Sequence, residues 1–252
     1  MIDVHCHLVY GVDDGSTSLN ETLQMLKEAK NVGFTDIILT PHFSNYFQVS
    51  AEEISKRIEE IKRESQAIGI NLYQGNEIYI TSTLIDDLNN KKSVSLNNSK
   101  YVLFEVPMHN STYNVDEVIY DILNAGKVPI LAHPERYDFV QSDPNWLLNY
   151  IDRGVLFQSN YASIVGRYGK EAKETVKKLL THNMIHFLGS DNHKPNTVYA
   201  EMPEILNKLE KLIGPNYLKT LSLDNPQKIL NNENIEIDDP EEIRKTWKFW
   251  RG

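Results

Sequence analysis

The candidate metal-binding and acid–base residues of this chain stand at His5-Cys6-His7, His42, Glu77, Glu105, His133-Pro134-Glu135-Arg136 and Asp191-Asn192-His193. Two imidazoles spaced two apart on an extended chain point the same way, because side chains alternate faces with a period of two. His5 and His7 can therefore reach one cation. A lone His-X-His also suits a solvated loop, so the reading depends on what surrounds it. Cys6 is the single cysteine. Alternation turns it away from its two neighbours, and it reads as a small buried hydrophobe.

The elements that must position these residues are legible as apolar, β-rich runs bounded by polar residues, at 2–4, 36–40, 72–75, 101–104, 128–132, 155–158 and 185–188. The residues that follow them are, in order, His5 with His7, His42, Glu77, Glu105, His133, Asn160, and Asp191 with His193. Six of the seven runs thus end in a candidate ligand. The intervening segments carry helix signals. Ser18 with Glu21 and Ser50 with Glu53 fit the capping box, Gly33 and Gly69 fall at helix ends, and Asp143-Pro144 opens a segment that closes at Gly154. Alternating β and α elements imply parallel strands with helical crossovers, and seven units predict an α/β fold of the closed or nearly closed barrel type. In such barrels the active site lies at the C-terminal strand ends, where these candidates fall.

Composition agrees with one domain over residues 1–252, with 231–252 as a C-terminal tail or appended helix: 40% of the residues are hydrophobic and 24% charged. No leader pattern and no run of about 18 apolar residues is visible, so a cytoplasmic protein is expected. One cysteine excludes an internal disulfide framework. The formal net charge of -9 argues against a nucleic-acid-binding surface. The chain ends with an acidic stretch at 233–242, followed by alternating basic and aromatic residues at 243–251. That ending suits peripheral contact with an anionic membrane or a partner kinase, or a helix packed on the barrel.

The motifs Ile2-Asp3-Val4-His5-Cys6-His7, Asp13-Asp14-Gly15-Ser16, Thr40-Pro41-His42, Gly75-Asn76-Glu77, Phe104-Glu105, Ala132-His133-Pro134-Glu135-Arg136-Tyr137, Ser163-Ile164-Val165-Gly166-Arg167-Tyr168-Gly169 and Gly189-Ser190-Asp191-Asn192-His193 occur in this order. With Asp224-Asn225-Pro226 beyond them, they resemble the PHP (polymerase and histidinol phosphatase) superfamily, specifically its bacterial tyrosine phosphatases of capsule and exopolysaccharide synthesis. The resemblance implies a distorted (β/α)7 barrel with three divalent metal ions, manganese or iron, with zinc also open. It implies that His5, His7, Glu77 and Asp191 hold the first ion, that Glu77 bridges to a second held by Glu105 and His133, and that Asp14, His42 and His193 hold the third. Imidazole and carboxylate without thiolate suit all three metals.

The expected reaction is phosphomonoester hydrolysis by attack of a metal-bridging hydroxide on phosphorus. The expected substrate is a phosphotyrosine protein, a tyrosine kinase that regulates polysaccharide synthesis. Arg136 is the expected catalytic, substrate-binding residue, its fork taking the phosphate bidentately; the alternative is a local pair with Glu135. Cysteine-based phosphatase chemistry is excluded, because it needs an arginine six positions after the thiolate and Val12 stands there. Histidinol-phosphate hydrolysis, a polymerase-type exonuclease and a noncatalytic metal-stabilised module are the rival readings. His109, His182 and His186 read as surface or packed histidines, and Tyr46 and Phe47 as rim aromatics that either flank a phosphotyrosine ring or pack together. Many members of the family carry an arginine shortly after the last Asp-X-His; none stands here, and whether Lys194 or Arg167 replaces it is left open, Arg167 also suiting the packing of its glycine-flanked turn.

Overall fold

The computed structural model describes residues 1–109 and 115–244. Asn110 and the aromatic residues of the C-terminal stretch, Trp247, Phe249 and Trp250, lie outside the described residues. Among the described residues nine strands form, all parallel to their neighbours: β1 (Ile2–Asp3), β2 (Asp36–Leu39), β3 (His42–Phe43), β4 (Asn71–Gln74), β5 (Glu77–Tyr79), β6 (Tyr101–Glu105), β7 (Val128–Ala132), β8 (Leu156–Asn160) and β9 (Phe187–Gly189). The seven runs of the sequence become nine strands because two are interrupted. β2 passes into β3 across Thr40-Pro41, and β4 into β5 across Gly75-Asn76. Pro41 has no N–H for the ladder, and its carbonyl instead accepts from Glu77 N at 3.2 Å and Asn76 Nδ2 at 3.0 Å.

The interruptions divide the strands into the orders β1-β2-β4 and β3-β5-β6-β7-β8-β9, which together curl into a distorted seven-stranded barrel. The ring closes just beyond β1 and β9, where Cys6 bridges Asn192 in parallel. Asp191 N donates to the His5 carbonyl at 2.7 Å there, and His7 N to the Asn192 carbonyl at 3.0 Å. The register sets His42 beside Glu77 and Tyr79 beside Glu105, so strand pairing alone brings three candidate ligands to one rim.

The helices follow from their sequence signals. Ser18 caps Leu19–Asn31 by accepting from Glu21 N, and Ser50 caps Ala51–Glu64 by accepting from Glu53 N. Each buries an apolar stripe, Met25, Leu26 and Ala29 in the first and Ile54, Ile58 and Ile61 in the second. After Glu64 the chain tightens into a 3-10 turn at Gln66–Ile68, so Gly69 closes that turn and not the helix proper. The main core lies between these helices and the barrel, and a second cluster around Val4, Ile38, Leu103, Ile130 and Phe187 fills the barrel interior. Residues 231–244 adopt no helix and run across the barrel as a strap. Its bonds include Tyr101 Oη to the Glu233 carbonyl (2.5 Å) and an Asn145 side-chain amide that both donates to and accepts from the Ile243 backbone. Among the described residues no helix is long and apolar enough to cross a membrane.

Candidate metal centre

The C-terminal rim gathers all nine candidate ligands. His5 and His7 follow β1, His42 opens β3, Glu77 opens β5, Glu105 ends β6, His133 follows β7, and Asp191 and His193 follow β9, with Asp14 supplied by the loop after His7. His133 and Asp191 are held at positive φ, 36° and 50°, so each leaves its strand through a turn that aims the side chain inward. Two glycines permit the close approach. A Cβ on Gly15 would meet the His7 carbonyl oxygen at 2.2 Å, and one on Gly189 would meet His5 Cβ at 2.7 Å.

Three imidazoles are oriented by fixing the nitrogen that faces away from the centre. His5 Nδ1 donates to Gln158 Oε1 (2.6 Å), His7 Nδ1 to Asp13 Oδ2 (2.8 Å) and His193 Nδ1 to the Asp191 carbonyl (2.9 Å). Each ring then presents Nε2 to the centre, as outer hydrogen bonds do for metal-binding histidines. The nitrogens converge on carboxylates. Glu77 Oε2 lies 3.2 Å from His5 Nε2, 3.4 Å from His7 Nε2 and 3.0 Å from His42 Nδ1, while Oε1 lies 2.9 Å from His133 Nε2. Asp191 Oδ1 is 3.6 Å from His5 Nε2 and 3.4 Å from His7 Nε2. Asp14 Oδ1 faces His193 Nε2 at 3.4 Å and His42 Nε2 at 3.7 Å, and Glu105 Oε1 faces His42 Nδ1 at 3.2 Å.

The donors fit divalent cations. Glu77 Oε2 is buried and makes no hydrogen bond despite three imidazole nitrogens within 3.4 Å, and His5 Nε2 faces His7 Nε2 at 3.2 Å. Donor atoms crowded in this way are aimed at a common point, and a nitrogen–oxygen donor set suits manganese, iron or zinc. Among the described residues three groups have donor atoms within 4.8 Å of one another: His7, Asp14, His42 and His193; His5, His7 and Glu77; and His42, Glu77 and Glu105. The grouping differs from the resemblance at His42 and His7, and leaves His133 and Asp191 outside the three groups. His42 lies between sets, with Nε2 toward Asp14 and Nδ1 toward Glu77 and Glu105, and His7 reaches the Asp14 set.

Electrostatics bind the cluster together. Burial opposes charge on His42, but the Glu77 carboxylate raises it to about 10. Glu77 is itself held well below the usual carboxylate range, against burial, by His5 and His42. Hydrogen bonding to His193 lowers Asp14 to about 2.

Arg136 does not pair with Glu135. Its Nη1 donates to Asp191 Oδ2 at 3.0 Å and its guanidinium lies over the Tyr168 ring, while Glu135 Oε1 accepts from Asn160 N (2.9 Å) and Ser163 Oγ (2.6 Å). The remaining sequence candidates separate cleanly. His109 is exposed and pairs with Asp138, His182 accompanies a helix end, and buried His186 accepts from Phe157 N at 3.0 Å. Cys6 is buried, with Sγ 3.6 Å from the Ile38 carbonyl. Arg167 pairs with Glu201, and Lys194 Nζ donates to the Gly15 carbonyl. Phe47 stacks on His42 at 5.8 Å, and Tyr46 projects into solvent. Sequence reasoning missed Asp13, Gln158 and Asn160. Asn160 Nδ2 donates to Asp191 Oδ2 at 2.7 Å and its Oδ1 accepts from Gln158 Nε2 at 3.0 Å, linking the partners of His5 and Asp191. The only signal for Gln158 and Asn160 was period-two spacing on β8, whereas Asp13 stood beside Asp14 in the motif Asp13-Asp14-Gly15-Ser16.

A parallel barrel with histidines and carboxylates converging at its C-terminal rim defines the class of metal-dependent α/β-barrel hydrolases. The fold is shared with the lactonase Lmo2620 from Listeria monocytogenes, at a TM-score of 0.54 and 10% identity over 92% of this chain and 93% of that one. Within that class the chain belongs to the CpsB/CapC family of capsular polysaccharide synthesis, whose model matches residues 1–231. It is 30% identical to the tyrosine-protein phosphatase YwqE of Bacillus subtilis, over 99% of both chains. It is also 30% identical to the tyrosine-protein phosphatase CpsB of Streptococcus pneumoniae, over 93% of this chain and all of that one. A chain from the crystal structures of YwqE and CpsB, described as unique metal-dependent tyrosine phosphatases, superposes at a TM-score of 0.90 with 29% identity, covering 97% of this chain and 100% of that one.

Proposed function

We propose that this chain is a metal-dependent protein-tyrosine phosphatase, acting as one unit over residues 1–252 on a phosphorylated tyrosine kinase of capsular polysaccharide synthesis in the cytoplasm. The observation that carries the reading is Glu77, a buried carboxylate facing four imidazoles at the barrel rim without satisfying one of its oxygens. In this reading His5, His7, Asp14, His42, Glu77, Glu105, His133, Asp191 and His193 hold three divalent ions, manganese or iron. When bound, such ions neutralise charge on phosphoryl oxygens and acidify water.

The protein's own side chains supply position and shape. Arg136 binds phosphate oxygens, its planar guanidinium supported by Tyr168. A cavity of about 390 Å³ opens against His42 and Glu105 and is lined by Tyr46, Phe47 and Tyr79, which suits an aryl ring more than a charged alkyl chain. A phenolate leaving group, with a pKa near ~10, needs little protonation as the bond to phosphorus breaks, so the absence of an evident acid is tolerated.

The test is hydrolysis of a phosphotyrosine peptide beside histidinol phosphate, by protein stripped with a chelator and restored with manganese, with bound metal counted in parallel. Manganese-dependent release from the peptide is the expected result. Preference for histidinol phosphate would overturn the tyrosine-phosphatase reading, and silence on both with metal bound would overturn catalysis of this class.

A further inference from the structure

The aromatic cavity has a polar neighbour. A second pocket, of about 280 Å³, shares Ser44 and Asn45 with the first and extends away from His42 toward Thr81, Thr83, Asp87 and Lys92. The wall between them is the loop after β3. It is pinned by Ser44 N donating to the Phe47 carbonyl at 3.1 Å and by Ser44 Oγ accepting from Tyr46 N and Phe47 N, both at 3.2 Å. A substrate whose ring sits beside Phe47 therefore has a second, built recess one loop-width away.

We infer that this second pocket is a subsite for an anionic side chain, a carboxylate or a second phosphoryl group, that flanks the phosphotyrosine on a peptide substrate; the inference rests on the tyrosine-phosphatase reading above. The charge arrangement decides the sign of the ligand. Asp87 is the acidic residue lining the pocket, and its side chain is only 10% exposed with both oxygens engaged, Oδ1 by Lys92 Nζ (3.1 Å) and Oδ2 by Thr83 Oγ1 (2.8 Å). The Lys92 side chain is 64% exposed, and that one bond uses a single N–H of its three. The pocket thus presents the remaining N–H groups of an exposed ammonium, while both oxygens of its carboxylate are engaged. On a chain of net charge -9 a local cation of this kind distinguishes where an acidic peptide can settle.

A single small aryl phosphate fills the aromatic cavity alone, whereas a peptide spans both, so the two substrates separate the subsite from the chemistry. The experiment compares kcat/KM on phenyl phosphate and on three matched phosphotyrosine peptides carrying Ala, Glu or a second phosphotyrosine beside the scissile residue, using the metal-loaded protein and its Lys92→Met and Lys92→Glu variants. The expected result is a preference for the anionic flanks of about two- to fivefold, the range an exposed ion pair supplies, lost in Lys92→Met and reversed in Lys92→Glu. Preference for the phosphorylated flank over Glu would identify the second phosphoryl group as the natural occupant, and the converse the carboxylate. Equal rates on all three peptides, or a preference that survives both substitutions, would overturn the subsite while phenyl phosphate turnover keeps the phosphatase reading. Failure on phenyl phosphate and peptides alike overturns both.

Discussion

The Arg136 guanidinium lies over the Tyr168 ring, 4.6 Å from its centroid, and from that perch donates to Asp191 at 3.0 Å. One side chain therefore links the proposed phosphate contact to a proposed metal ligand, and the aromatic face fixes the plane of the fork. Arg136→Ala is expected to raise KM and lower kcat for a phosphotyrosine peptide with bound metal preserved. Tyr168→Phe retains the face and loses only a long hydroxyl contact to Asp191 Oδ2 (3.5 Å), so it should stay near the parent rate, whereas Tyr168→Ala should move toward Arg136→Ala. A normal rate for Arg136→Ala would mean that the ions alone hold the phosphate.

His5→Ala and Asp191→Ala remove donors that face each other across the barrel seam. Each is expected to lose turnover and at least one equivalent of metal, measured by elemental analysis beside the phosphatase assay. Full activity in either variant would disprove the ligand assignment.

Asp13 stands outside the proposed ligand set, yet it accepts from His7 Nδ1 (2.8 Å), His42 N (3.0 Å) and Gly15 N (2.9 Å). Asp13→Ala frees the His7 ring to rotate and should weaken metal affinity by about 10- to 100-fold, the usual cost of losing an outer partner. Competition against a chelator of known affinity measures it, and an unchanged constant would show that packing alone orients His7.

His186 sets part of the acid sensitivity. Burial lowers it from 6.5 to about 3, with Nδ1 accepting from Phe157 N and Nε2 unpartnered. As pH falls, the unfolded chain takes up a proton here near 6.5, while the folded chain refuses it until about 3. Its contribution to stability is therefore complete above 6.5 and declines through that window by roughly 1.4 kcal/mol per pH unit. Denaturant titrations from pH 7 to 4 should show a shallower decline in His186→Gln, by about one proton's slope. Parallel curves would refute the assignment.

The strand ends were legible in the sequence because a ligand that follows an apolar run needs no long-range information, and all nine residues reach one rim. The breaks at Pro41 and Gly75 were not, since an interrupted strand has the same local pattern as a continuous one. Gln158 and Asn160 look like ordinary polar residues until the barrel closes and sets them against His5 and Asp191, 153 and 31 residues away. Arg136 illustrates the same limit: chain proximity suggested Glu135, but that carboxylate is taken by Asn160 and Ser163, so the nearest partner in space came from another strand.

The Cys6–Asn192 bridge carries a consequence for the order of assembly. The first and last ligand-bearing segments of the chain complete each other, so a ribosome must release residue 193 before the first histidines have their full set of neighbours. Synthesis thus proceeds with the centre open, and the nascent protein gains its chemistry only when the segment after its last strand meets the segment after its first.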